Sequence, residues 1–124
     1  MVKVFLADDS SIIRHRLVAL ICELAWVDIV GTGQSGTDAI KGIVTFEPDV
    51  LILAIQMPDG SGFDTLKLIK QHSDAPIVIV LTNHPEFRQS CLDAGADYFL
   101  DKSIEFDQIP SVLAKVKQND NTLP

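Results

Sequence analysis

The stretch LILAIQMPDGSGFD, Leu51 to Asp64, decides how the rest of the chain is read. It opens as an unbroken apolar run and drops abruptly into Pro58, Asp59 and Gly60. An apolar run without polar alternation reads as a strand covered on both faces, which is the habit of parallel sheets. In an open α/β sheet, ligands bind beyond the carboxyl ends of such strands. Yet the last positions here carry only Leu53, Ala54 and Ile55. The edge presents a methyl group where chemistry is expected.

Outward from this stretch, strand and helix alternate. Val2 to Ala7 is a short apolar run ending in Asp8-Asp9. Ser10 and Ser11 offer an N-cap, and Ile13, Leu17, Leu20, Ile21 and Leu24 follow at helical spacing. Asp28 to Gly33 is a second strand. Ser35-Gly36 opens a helix carrying Ala39, Ile40, Ile43 and Val44, which Pro48 stops. Asp49 to Ile55 is the third strand and Met57 to Gly62 its exit loop. Phe63, Leu66 and Ile69 mark a third helix. Ile77 to Thr82 is the most β-branched run of the chain. Phe87, Cys91 and Leu92 form a short helix closed by Gly95, and Tyr98 to Leu100 is a fifth strand. Phe106, Ile109, Val112, Leu113 and Val116 form the last amphipathic stretch, with Pro110 tolerated in its first turn. Five alternations predict an α/β fold, a (βα)5 doubly wound parallel five-stranded sheet with helices on both faces.

Composition sets the outer bounds. A chain of 124 residues suits one domain, expected over 1–118, with 119–124 as a polar tail. Hydrophobic residues make up 47%, enough for a packed core without disulfide or structural metal. The two cysteines, Cys22 and Cys91, lie in apolar helical patterns and read as buried thiols in a reducing cytoplasm. No run is long and apolar enough to span a membrane, and the N-terminus does not read as a signal peptide. The net charge of −7 argues against nucleic-acid binding and permits a cation or a basic partner.

The predicted carboxyl edge collects Asp8 and Asp9 from strand one, Ala54, Ile55 and Gln56 from strand three, Thr82, Asn83 and His84 from strand four, and Asp101 and Lys102 from strand five. Two carboxylates supply hard oxygen ligands for Mg²⁺. A lysine and a threonine hydroxyl donate to phosphoryl oxygens. Such a pocket handles phosphoryl groups, but it lacks a nucleophile to accept one.

At this point the chain resembles the receiver domain of two-component response regulators, the flavodoxin-like fold of the chemotaxis regulator, with strand order 2-1-3-4-5. The resemblance rests on ADDS at Ala7 to Ser10, PDVLILAIQMPDGSG at Pro48 to Gly62, IVLT at Ile79 to Thr82 and AGADYFLDK at Ala94 to Lys102. It implies that Asp9 ligates the metal, Asp8 acts mainly through water, and Gln56 lends its backbone carbonyl. It implies that Thr82 is the hydroxyl that switches, Lys102 the charge clamp, and Phe99 the aromatic whose rotamer reports activation. Gln56 and His84 match the positions that tune phosphoryl lifetime. The phosphoacceptor aspartate falls on Ala54. Two histories fit: an engineered Asp→Ala change in a working receiver, which the retained acids, threonine and lysine favour, or a natural pseudo-receiver that signals without phosphate.

Losing that carboxylate removes a metal ligand, so Mg²⁺ affinity is expected to fall. It also relieves repulsion among three acids, on the order of 3 kcal/mol per pair at ~5 Å and an effective dielectric of about 20. Lys102 is expected to turn to Asp8 or Asp9. A second departure is Ser103, where the family usually has proline, so a trans Lys102–Ser103 bond, or a strained cis one, is expected. Plainer readings stand beside these: Asp8-Asp9 as acids at a helix start, Thr82 as a strand end, Lys102 as a surface lysine, Phe99 as a core aromatic. His15 and His72 read as solvated positions, and His84 as no metal ligand.

The expected function is a stand-alone receiver, not an enzyme. Its phosphoryl group would come from a histidine kinase or histidine phosphotransfer protein. Output would pass through the face of helix four, strand five and helix five, around Phe87, Arg88, Phe99 and Ile104. A receiver cut from a longer regulator fits equally well. A flavin-binding protein on the same fold is disfavoured, since two acids after strand one would repel a cofactor phosphate.

Overall fold

Alternate residues of the first strand serve opposite cores. Val4 and Leu6 pack on one side, Phe5 and Ala7 on the other. In the computed structural model, which describes residues 1–57 and 62–121, this strand is β1 (Val2–Ala7). It is joined by β2 (Val27–Gly33), β3 (Val50–Leu53), β4 (Ile77–Thr82) and β5 (Tyr98–Asp101). All pairings are parallel, in the order β2-β1-β3-β4-β5, the flavodoxin-like arrangement. The helices are α1 (Ser11–Ile21), α2 (Gly36–Phe46), α3 (Gly62–Ile69), α4 (Arg88–Asp93) and α5 (Ile109–Asn121). Leu17 and Ile21 of α1 and Val112, Leu113 and Val116 of α5 cover one face. Ala39 of α2, Leu66 and Ile69 of α3 and Cys91 of α4 cover the other. Each fully buried aliphatic side chain contributes about 1.5–3 kcal/mol, so this two-sided burial holds the sheet.

The caps follow the sequence. Ser10 Oγ accepts from the Ile13 N–H and Ser35 Oγ from the Asp38 N–H, starting α1 and α2. Gly95 takes φ +110° just past α4, a conformation favouring glycine. Pro110 sits in the first turn of α5. Glu47 ends α2 in the left-handed region at φ 47°, with its N–H donated to the Ile43 carbonyl. For a residue with a Cβ, that costs about 1–2 kcal/mol.

Several expectations are corrected. The third strand, predicted over Asp49–Ile55, pairs only over Val50–Leu53. Single backbone bonds flank it, from Asp49 N–H to the Lys3 carbonyl and from Ala54 N–H to the Ala7 carbonyl. Leu24 lies beyond α1, because the chain turns there and the Val27 N–H bonds to the Leu24 carbonyl. Val44 projects outward, 75% exposed, rather than into the core. Cys22 is exposed at the end of α1, while Cys91 is buried as expected. Helix α5 continues to Asn121, into the segment expected as a tail. Residues 58–61 of the exit loop and 122–124 of the tail lie outside the described residues.

Candidate functional site

The carboxyl edge of the sheet holds a cleft of about 260 Å³, and each strand that reaches it delivers one of the predicted residues. Asp9, Ala54, Gln56, Thr82, His84 and Lys102 all line it. Ser10, Ile13, Ile55, Leu81 and Asn83 complete the wall. The sequence places Asn83 at this edge without a role, and Ile13 carries no signal beyond its helical spacing.

Asp8 is fixed by the turn from β1 into α1. Its Oδ1 accepts from the Ser10 N–H at 2.9 Å, and its backbone carbonyl accepts from Arg14 Nη1 at 2.6 Å. Its Oδ2 faces the ammonium of Lys102 at 2.7 Å, with the side chains 3% and 12% exposed. Arg14 meets the Asp8 backbone; among the described residues the Lys102 ammonium is the one cation at ion-pair distance from the Asp8 carboxylate, in a place where water is largely excluded. Asp9 is exposed at the cleft mouth.

Two backbone devices place Lys102. Its N–H donates to the Thr82 carbonyl at 2.9 Å, extending the β4–β5 ladder to the cleft. Beyond it, the Ser103 N–H donates to Asp101 Oδ1 at 2.8 Å, and the Glu105 N–H to the Asp101 carbonyl at 2.8 Å. Proline at 103 would lack that donor, so serine tightens the turn by a different route. No cis peptide bond occurs among the described residues, in line with a trans Lys102–Ser103 bond. Thr82 is buried, and its Oγ1 accepts from the His84 N–H at 3.2 Å. His84 Nδ1 lies 3.2 Å from Glu86 Oε1.

Ala54 is 2% exposed, between the second core and the cleft. Gly62 closes on it from above: its N–H donates to the Ile55 carbonyl at 2.8 Å, and an added Cβ would stand 2.1 Å from the Ala54 carbonyl oxygen. Phe99 is not at the cleft or on the surface. It is buried beside Cys91, with the Arg88 guanidinium 5.5 Å above its ring. Of the residues expected on an output face, Phe87, Arg88 and Ile104 are exposed and Phe99 lies beneath them. His15 and His72 are exposed.

The donor set is poorer for Mg²⁺ than two carboxylates and a third at position 54 would be. Among the described residues no group of three carboxylate, imidazole or thiolate donors assembles. The buried carboxylate already faces an ammonium, and position 54 offers carbon. A divalent ion would reach Asp8 only by displacing Lys102, with exposed Asp9 as its second carboxylate and waters in its remaining positions.

A sheet of this order with acids, hydroxyl and lysine at its carboxyl edge defines a class of signalling domain, and comparison with known proteins agrees. The family model of the response regulator receiver domain matches residues 4–114, and the chain belongs to that family. Membership gives it the family's general part in two-component signalling. The chain is 31% identical to a protein-glutamate methylesterase/protein-glutamine glutaminase of Bacillus subtilis, over 95% of this chain and 33% of the relative. It is 28% identical to the transcriptional regulatory protein LnrK of the same organism, over 100% of this chain and 57% of the relative. The chain thus spans about a third to rather more than half of these curated relatives. Among solved structures, the response regulator domain of Thermotoga maritima CheB superposes with TM-score 0.84 at 29% identity, covering 100% of this chain and 99% of that one. The isolated REC domain of RcsB from Salmonella enterica, solved with the phosphomimetic BeF3-, gives 0.85 at 28%, over 94% and 88%. No helix among the described residues is long and apolar enough to cross a membrane.

Proposed function

We propose that this chain is a receiver held in its unphosphorylated arrangement, acting by contact with a partner protein and not by accepting a phosphoryl group. The observation that carries this reading is the Lys102–Asp8 ion pair at 2.7 Å beside the buried methyl of Ala54. The lysine that would clamp a phosphoryl oxygen is engaged by the acid that would serve the metal. Roles for Asp9, Gln56, Thr82, Phe99 and His84 belong to the same proposal. So do a histidine kinase or phosphotransfer partner and output over Phe87, Arg88 and Ile104.

The survival of Asp9, Thr82 and Lys102 around one cleft supports an alanine that replaces a single aspartate in an otherwise complete pocket. A natural pseudo-receiver is the second reading, favoured by the engagement of Lys102 without a carboxylate at 54 and by the Ser103 turn. Ala54→Asp separates them. With acetyl phosphate and Mg²⁺, the parent takes no label. The variant should take up one phosphoryl group per chain, its new carboxylate attacking phosphorus as acetate leaves. Failure of a folded Ala54→Asp protein to label would leave the pseudo-receiver reading standing. Label on the parent at any cleft residue would overturn both.

A further inference from the structure

We propose that the groove between α2 and α3, at the amino edge of the sheet, docks a basic amphipathic helix from a partner protein. This groove encloses about 670 Å³ and lies at the opposite end of the strands from the cleft. Its apolar lining comes from Ile40, Ile43 and Val44 of α2, Leu68 and Ile69 of α3, and Ala75 before β4. Ile40, Ile43, Val44 and Glu47 recur at helical spacing, a stripe that normally faces another helix. Here α3 covers it only in part, leaving Val44 75% and Leu68 51% exposed.

The rim is acidic. Glu47, Asp49 and Asp74 line the groove with His72, and all four residues are exposed. Two lysines lie at its margin: Lys3 donates its backbone N–H to Asp49 Oδ2 and its ammonium to the Phe46 carbonyl, and the Lys70 ammonium takes the carbonyl of groove-lining Pro76 and is paired with Asp97. Lys41 and Lys67 belong to the same helices but do not line the groove. Glu47 holds its carboxylate there from a left-handed backbone that glycine would adopt more readily.

Charge and shape together select the occupant. Three carboxylates around an apolar floor complement an apolar ridge flanked by lysine or arginine. A second copy would bring its own acidic surface, on a chain of net charge −7, and an anionic membrane would also be repelled. A small ligand confined to the hollow would leave Val44 and Leu68 bare, whereas a helix ridge lying along it covers both.

The test titrates the 124-residue chain, ¹⁵N-labelled, with a synthetic eighteen-residue helix of leucine and lysine. Leucines stand at i, i+3, i+4 and i+7, and a scrambled peptide of the same composition is the control. Saturable shifts at 40–47 and 68–75 are expected from the helix alone. Val44→Ser/Leu68→Ser, both at exposed positions, should weaken binding roughly tenfold, and Glu47→Gln/Asp74→Asn should weaken it and flatten its salt dependence. Shifts centred on the cleft or on α4, unchanged affinity in Val44→Ser/Leu68→Ser, equal binding of the scramble, or self-association of the chain that this pair of changes abolishes would each overturn the proposal. Because the groove is remote from position 54, none of these outcomes depends on the label taken up by Ala54→Asp.

Discussion

Replacing Lys102 with methionine keeps the length of the stem and removes its charge. Asp8 Oδ2 then faces no cation, in a position where the carboxylate is 3% exposed. Its other oxygen keeps the Ser10 N–H, so the turn persists while the charge stands alone. Breaking one side of a buried pair costs about 3–5 kcal/mol, against about 0–1 for a surface pair. A domain of this kind has roughly 5–15 kcal/mol in total, so the loss is a large share. With an m-value of about 2 kcal/mol/M, the urea midpoint should fall by roughly 1.5–2.5 M. Asp8→Asn/Lys102→Met should recover part of that drop, because the uncompensated charge goes as well. Millimolar Mg²⁺ should stabilise Lys102→Met more than the parent, since the ion no longer competes with an ammonium. A fall below about 1 kcal/mol, or a double variant no better than the single one, would refute the reading of a buried, water-excluded pair.

Gly62→Ala should destabilise by about 1–3 kcal/mol, read as a lowered melting temperature, because the new Cβ would meet the Ala54 carbonyl oxygen at 2.1 Å and force the β3 exit to shift. Cys22 should react with a thiol reagent in the folded chain, and Cys91 only after unfolding. Burial raises the Cys91 thiol above its ordinary range. The folded chain therefore keeps that proton where the unfolded chain has lost it, and stability should fall as pH rises past about 8.5. The slope should be smaller in Cys91→Ala, compared by urea unfolding at pH 8 and pH 10. Glu47→Gly should raise stability by about 1 kcal/mol, measured the same way, by releasing the left-handed strain at φ 47°.

The parallel sheet was legible because its signal is repeated. Strands three and four are continuous apolar runs, and the capping serines stand where helices begin. What escaped was backbone pairing. Ala54 and Ile55 are as apolar as Leu53, yet the ladder stops at Leu53, where the chain turns to meet Gly62. Leu24 continues a helical spacing in sequence, but its carbonyl is needed by the turn into β2. The cleft could be listed residue by residue because a parallel sheet brings strand ends to one edge. The partner of Lys102 remained open between Asp8 and Asp9, since two adjacent carboxylates differ only in which one the turn buries. The α2–α3 groove is lined by two short runs, 40–49 and 68–76, and the apolar spacing of α2 did not reveal that α3 would leave it partly uncovered.

Asp8 follows β1 and Lys102 follows β5, and β3 and β4 lie between those strands. The pair therefore ties together two elements that never touch as neighbours, closing a loop of about three quarters of the chain. Loop-closure entropy leads us to expect such a latch to shut after the intervening strands are in register, past the folding barrier. Its removal should leave the folding rate almost untouched and speed unfolding by roughly a hundredfold or more. One ammonium thus sets how long the folded molecule lasts, and has little say in how quickly it is reached.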